Sequence, residues 1–148
     1  MIAAEVQVVG AGMENKMPVV VLAPVAGRGI LPMRIGSMEA LSILIALEEK
    51  EMPRPLTHDL FTEVLEEWDV ELEQVVIIKI EDDIFYAELV MRKGGKVKRI
   101  DSRPSDGLAL ALRKNAPIYI SEELAEEGLI YIDASEFVDE YELKDFNL

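Results

Sequence analysis

Apolar positions along this chain alternate between a period of two and a period near 3.6, and the switches divide it into strands and helices. Val6 to Val9 reads as a short strand running into a glycine-rich turn through Gly10 and Gly12. Val19-Val20-Val21-Leu22 is a continuous apolar run, expected of a strand covered on both faces. Gly27-Arg28-Gly29 predicts a hairpin connection into Ile30 to Ile35. Pro32 has no N–H for a ladder, which pushes that strand to a sheet edge or a bulge.

From Gly36-Ser37 to about Glu51 the spacing becomes helical, with Met38, Leu41, Leu44 and Ile45 repeating and Ile43 and Leu47 widening the apolar face. Glu39, Ser42, Ala46 and Glu49 form the narrower, more polar stripe of what should be a central helix. Pro53-Arg54-Pro55 stops it, and Thr57 is the expected N-cap of a second helix running to about Trp68. Leu60, Phe61, Val64 and Leu65 should face the core there, with Glu63, Glu66 and Glu67 in water.

Glu73 to Asp101 reads as a three-stranded meander with turns at Asp82-Asp83 and Gly94-Gly95; Phe85, Ala87, Leu89 and Met91 alternate with more polar neighbours. Pro104-Ser105-Asp106 opens a third helix ending near Asn115. Ile118 to Ile120 is a short strand, and Ser121 can cap a brief acidic helix to Gly128. With no internal repeat and no linker, the expectation is one α+β domain over residues 1–132, with a mixed or antiparallel sheet and three main helices. An acidic tail over 133–148, with Phe137, Tyr141 and Phe146 scattered in it, follows.

The chain has 148 residues, half of them hydrophobic, which excludes a disordered acidic chain despite a formal charge of −14. With no cysteine, disulfides, thiolate zinc sites and Cys nucleophiles are impossible. One histidine excludes a two-His zinc site within the chain, and a Ser-His-Asp triad could run only through His58, with no G-x-S-x-G elbow to support it. No phosphate-cradling glycine motif is present. The N-terminus does not read as a signal peptide, and the stretch Ala40 to Leu47 is far short of the roughly 20 residues that span a bilayer. A soluble cytoplasmic protein without membrane contact is expected.

The charge is unevenly spread. Residues 1–91 carry 6 basic and 17 acidic side chains, and residues 115–148 carry 1 basic and 10 acidic ones. Residues 92–114 reverse the balance, with 8 basic side chains against Asp101 and Asp106. That segment reads either as a solvated hairpin edge or as a patch in which Lys96, Lys98, Arg99 and Arg103 contact phosphate.

Three constellations can carry chemistry. In Asp101-Ser102-Arg103-Pro104-Ser105-Asp106 a helix start with its free N–H groups lies beside an arginine fork, and Asp101 and Asp106 suit a hard cation such as Mg²⁺ or Mn²⁺. In Arg54-Pro55-Leu56-Thr57-His58-Asp59-Leu60 the histidine is the one side chain with an unperturbed pKa suited to acid–base work near neutrality. Glu39, in the first turn of the most apolar helix, can be a metal ligand or a base if that end faces a cleft. Taken singly, each also reads as ordinary helix capping.

Three segments in this order resemble the bifunctional nuclease domain family: Leu31-Pro32-Met33-Arg34-Ile35-Gly36 with Glu39-Ala40, then Arg54 to Leu60, then Ile100 to Asp106. Phe85-Tyr86-Ala87-Glu88-Leu89 and Ala116-Pro117-Ile118-Tyr119-Ile120 fit the same pattern, and the likeness covers roughly residues 17–121. The resemblance implies a compact α+β domain, often an oligomer in prokaryotic members, and a family named for plant proteins that cut both RNA and DNA. On this basis the expected function is phosphodiester hydrolysis on RNA or DNA with divalent-metal assistance. His58, Asp59, Asp101 and Glu39 are the expected catalytic groups; Asp101, Asp106 and Glu39 the metal ligands; and Arg103, Ser105, Lys96, Lys98, Arg99 and Arg54 the substrate contacts. The alternative is a non-catalytic module that binds nucleic acid or protein as a homo-oligomer. Gly107 stands where many relatives carry Ala, and is expected to loosen the helix start.

Overall fold

The N-terminal apolar runs pair with each other. β1 (Ile2–Ala11) and β2 (Pro18–Pro24) are antiparallel, with a register shift between Val6 and Val8, and β3 (Leu31–Arg34) pairs antiparallel with β2. β3 lies at the sheet edge, where Pro32 leaves no missing donor inside a ladder. A computed structural model describes residues 1–11, 17–140 and 144–145; Gly12, Tyr141 and Phe146 lie outside the described residues.

The predicted meander is β4 (Glu71–Glu81), β5 (Ile84–Lys93) and β6 (Lys96–Ser102). Asp82 and Asp83 make its first turn, both with positive φ. β7 (Ile118–Ile120) joins the two halves, antiparallel to β1 and parallel to β4, giving the order β3-β2-β1-β7-β4-β5-β6. A further two-residue strand, Lys144–Asp145, pairs with Gly10 and Ala11. The sheet is therefore mixed, within a single α+β domain.

Helices α1 (Ser37–Leu47), α2 (Thr57–Glu67) and α3 (Pro104–Lys114) form the helical layer, followed by α4 (Glu122–Gly128) and α5 (Ala134–Glu140). Val20 and Leu22 of β2 join Ile43, Val75, Ile77, Leu108 and Leu124 in the main core. Val21 points the other way, into a second cluster with Ile30 and the buried Phe137 of α5. The uninterrupted apolar run of β2 is thus explained by cover on both faces. Ser121 caps α4 as expected, accepting from Leu124 N at 3.1 Å.

Four expectations need correction. α1 ends at Leu47, not near Glu51, because Glu49 takes a left-handed φ of 50° while Lys50 N bonds back to Ile45 O. Leu56, not Thr57, is the N-cap of α2, and its N–H donates to Asp59 Oδ2 at 2.9 Å. Of the four residues expected to bury α2, only Leu65 does; Leu60, Phe61 and Val64 remain 55%, 42% and 49% exposed, with Trp68 at 67%. α2 packs instead through the stripe of His58, Thr62 and Leu65, and ion pairs tie it to α3. Gly107 does not loosen α3: a Cβ there would lie 2.7 Å from Val75 Cγ1, so its bare Cα is what lets the helix approach the sheet.

Candidate active site

Three helix starts meet at one place. Glu39 and Ser42, three residues apart on α1, share a face by helical geometry; His58 lies in the first turn of α2; Arg103 is the N-cap and Asp106 the first-turn acid of α3. Ser42 Oγ lies 2.6 Å from His58 Nδ1, and His58 Nε2 lies 2.9 Å from Asp106 Oδ1. Arg103 donates to Asp106 through Nε at 2.9 Å and Nη2 at 3.0 Å, and to Glu39 Oε1 through Nη1 at 2.9 Å. Glu39, Ser42, His58, Arg103 and Asp106 line a cleft of about 300 Å³, walled by apolar groups such as Met38 and Leu56.

The proton positions follow from donor chemistry. An ionised Asp106 only accepts, so His58 Nε2 carries its hydrogen; in the neutral ring Nδ1 then accepts from the Ser42 hydroxyl. Burial alone would push the Asp106 carboxyl up, but the hydrogen bonds from Arg103 and His58 outweigh it and hold the group below its usual value. Glu39 is likewise lowered, chiefly by its own backbone N–H and then by Arg103. These carboxylates in turn fix Arg103 as a permanent cation, Asp106 first and Glu39 second. Three of its five N–H donors are taken, two remain, and the side chain is 63% exposed.

Asp59 belongs to the adjoining contact. It accepts from Arg113 Nε at 2.7 Å, and Arg113 Nη1 donates to the carbonyls of Ser42 and Ala109. Burial raises the Asp59 carboxyl, but Arg113 and the Leu56 N–H lower it further than that. Arg113 Nη2 is buried without a partner among the described residues. Asp59 and Arg113 thus brace α1, α2 and α3 behind His58, one residue away from the cleft.

Other expected site residues lie elsewhere. Asp101 pairs across the ladder with Glu88, on the sheet face opposite Ser102 and α3. Arg99 shares that outer face and pairs with Glu88 at 3.1 Å. Lys96 and Lys98 lie toward the β5–β6 hairpin; Lys98 is four residues from Ser102, about 13 Å along the strand. The basic segment is also largely neutralised: Arg92 pairs with Glu73, Arg103 with Glu39 and Asp106, Arg113 with Asp59, and Lys114 with Glu66. Arg54 is exposed in the loop before α2 and lines none of the clefts described here. Ser105 is buried at the start of α3, facing a second cleft.

The donor set does not fit a resident divalent cation. Glu39 and Asp106 share the Arg103 guanidinium, Asp101 is on the other face, and among the described residues no group of three or more His, Asp or Glu side chains is placed to hold a metal ion. Sequence reasoning missed Ser42 as a site residue. Its one signal was a hydroxyl on the polar stripe one turn beyond Glu39, which only tertiary packing turns toward His58.

Comparison with known proteins gives a consistent picture. The sequence profile described as the bifunctional nuclease domain matches residues 20–133. A Mycobacterium tuberculosis protein of uncharacterised function is 39% identical over 135 residues, covering 89% of this chain and 80% of that protein. Bifunctional nuclease 1 of Arabidopsis thaliana is 26% identical over 122 residues, 79% of this chain but 38% of the plant protein. Bifunctional nuclease 2 of the same plant is 26% identical over 132 residues, or 84% and 40%. No helix among the described residues is long and apolar enough to cross a membrane.

Proposed function

The chain belongs to the bifunctional nuclease domain family, and from that membership we propose that it is a nuclease hydrolysing phosphodiester bonds of RNA, DNA or both. The observation that carries the reading is the hydrogen-bonded series Ser42–His58–Asp106–Arg103–Glu39 on the wall of one cleft. The two free N–H donors of Arg103 bind the scissile phosphate and stabilise charge as it develops on the equatorial oxygens. An attacking water gives its proton to the Ser42 hydroxyl as that hydroxyl passes its own to His58 Nδ1. The water oxygen bonds to phosphorus, the P–O bond to the departing chain breaks, and the leaving oxygen takes a proton from solvent. Asp106 holds the imidazole and stabilises the imidazolium that forms; Glu39 holds Arg103. No step passes through a metal ion.

The test is cleavage of RNA and DNA oligonucleotides by protein freed of host nucleases, with a chelator present. Cleavage that persists with chelator and falls at least about a hundredfold in Arg103→Lys supports the reading, because lysine cannot reproduce the held fork. Cleavage that vanishes with chelator refutes the metal-free mechanism. A competing reading, a non-catalytic nucleic-acid- or protein-binding module, is favoured by one observation: both ring nitrogens of His58 are already bonded within the protein, as a structural clamp requires. Salt-sensitive binding of the oligonucleotides without turnover under any metal condition would select it.

We also propose that the working unit is a homo-oligomer. Leu60, Phe61, Val64 and Trp68 lie on one side of α2 and leave on the order of 400 Å² of apolar surface open, the size of the largest patch on a typical monomer, which is often functional. An isologous contact of α2 with the same helix of a second copy covers it.

A further inference from the structure

Arg103 has a cleft on each side. Away from His58 lies the larger, about 760 Å³, between the end of β3, the start of α3 and the β4–β5 hairpin. Three features of its lining favour an anion. Arg34, exposed at the end of β3, has no ion-pair partner among the described residues. Ser105 lines the cleft, and its hydroxyl, which makes no hydrogen bond among the described residues, is available to a bound anion. Ser105 is also the second residue of α3, an eleven-residue helix with no side-chain cap, so its N-terminal N–H groups add to the same positive field. The opposite wall is apolar, with Phe85 and the 57% exposed Ile84 beside Pro32. Asp83 is the one carboxylate on this lining; it disfavours a second phosphate at the rim and suits a sugar hydroxyl or base amino group. The volume is that of a small-molecule site rather than a bare phosphate site.

We propose that this cleft holds one nucleotide unit of a single-stranded nucleic acid, its phosphate on Arg34, Arg103 and Ser105 and its base against Phe85 and Ile84. A base in a duplex has both faces stacked and must be extruded to reach such a wall, whereas an unpaired base presents its face directly. The inference rests on the reading of Arg103 as the phosphate-binding group of a nuclease, and it identifies single strands as the substrate class.

Calorimetric titration of the full chain with adenosine monophosphate, inorganic phosphate and adenosine tests it without any cleavage. The monophosphate should bind at least about tenfold tighter than phosphate or adenosine alone. Arg34→Gln, at an exposed position, should weaken the monophosphate and phosphate about tenfold but leave adenosine unchanged. Phe85→Leu should weaken the monophosphate and adenosine about tenfold but leave phosphate unchanged. A single-stranded hexamer should bind more tightly than the same sequence in duplex. Equal binding of monophosphate and phosphate, indifference to both substitutions, or equal affinity for duplex would overturn the proposal. The parent protein, assayed for both binding and cleavage, separates the two readings. Monophosphate binding retained in a protein that cleaves nothing supports the cleft and defeats the nuclease; cleavage without monophosphate binding does the reverse.

Discussion

Replacing Gly107 with alanine sets two effects of opposite sign against each other. Alanine in a helix interior is favoured over glycine by about 1 kcal/mol, so propensity alone predicts a more stable protein. The new methyl, however, would lie 2.7 Å from Val75 Cγ1 and 3.6 Å from both Leu89 Cδ2 and Ser102 Oγ. Ordinary carbon–carbon contact is roughly 3.5–4.0 Å, so the shortfall against Val75 is about 1 Å. Val75 is a fully buried, β-branched residue of a central strand and cannot swing aside, so α3 must move. Overpacking costs about 1–3 kcal/mol, and a shortfall of this size against a rigid neighbour belongs in the upper part of that range, about 2–3 kcal/mol, so after the propensity gain Gly107→Ala is about 1–2 kcal/mol less stable. At this chain length the melting temperature should fall by about 5 °C, read by calorimetry. Val75→Ala in the same chain opens the space: the double variant should be more stable than the sum of the single changes by about 1 kcal/mol or more. A Gly107→Ala protein that melts higher than the parent would refute the packing argument.

Glu39, Asp59 and Asp106 are all held below their ordinary values of 4.5, 3.8 and 3.8, so their contribution to stability is fully present above those values and is lost as the pH falls through the lower folded-state ones. Acid unfolding should therefore steepen below about pH 4, and Asp106→Asn should flatten that limb, as followed by denaturant midpoint against pH. Ser121→Ala removes the cap of α4 and the donor to Ile78 O at 2.5 Å, and should cost about 0.5–2 kcal/mol in urea unfolding with the slope unchanged. Trp68→Glu with Phe61→Glu should convert an oligomer to monomer by light scattering without lowering the melting temperature of the monomer; unchanged mass would exclude the α2 contact.

Much of the fold was legible because it rests on local chemistry. Pro32 marked an edge strand, Gly94-Gly95 a turn, Ser121 a cap, and the run Val19 to Leu22 a strand covered twice. On α2, periodicity reveals an apolar face without saying what covers it; the stripe actually buried contains a histidine and a threonine. The packing role of Gly107 is not legible locally, because a clash with Val75, thirty-two residues earlier in the chain, has no local signature. The site was half legible. Short motifs at helix starts singled out Glu39, His58, Arg103 and Asp106, but not that three helices aim them at one point, nor that Ser42 completes the set. Asp101 is close to Arg103 in sequence, but alternation along the strand sends its side chain to the other face. Charge in the basic segment is a weak guide to phosphate binding, because Arg92, Arg99, Arg113 and Lys114 pair with acids from other segments of the chain.

In the proposed phosphodiester hydrolysis His58, held by Asp106 and reached through Ser42, takes the proton. Single-turnover cleavage of a labelled single-stranded oligonucleotide by the parent protein and by His58→Gln, in chelator and at equal saturation, tests it most directly. The parent should cleave, and the variant should be at least about a hundredfold slower while folded, as confirmed by an intact calorimetric transition. A folded His58→Gln protein that cleaves at the parent rate would contradict it.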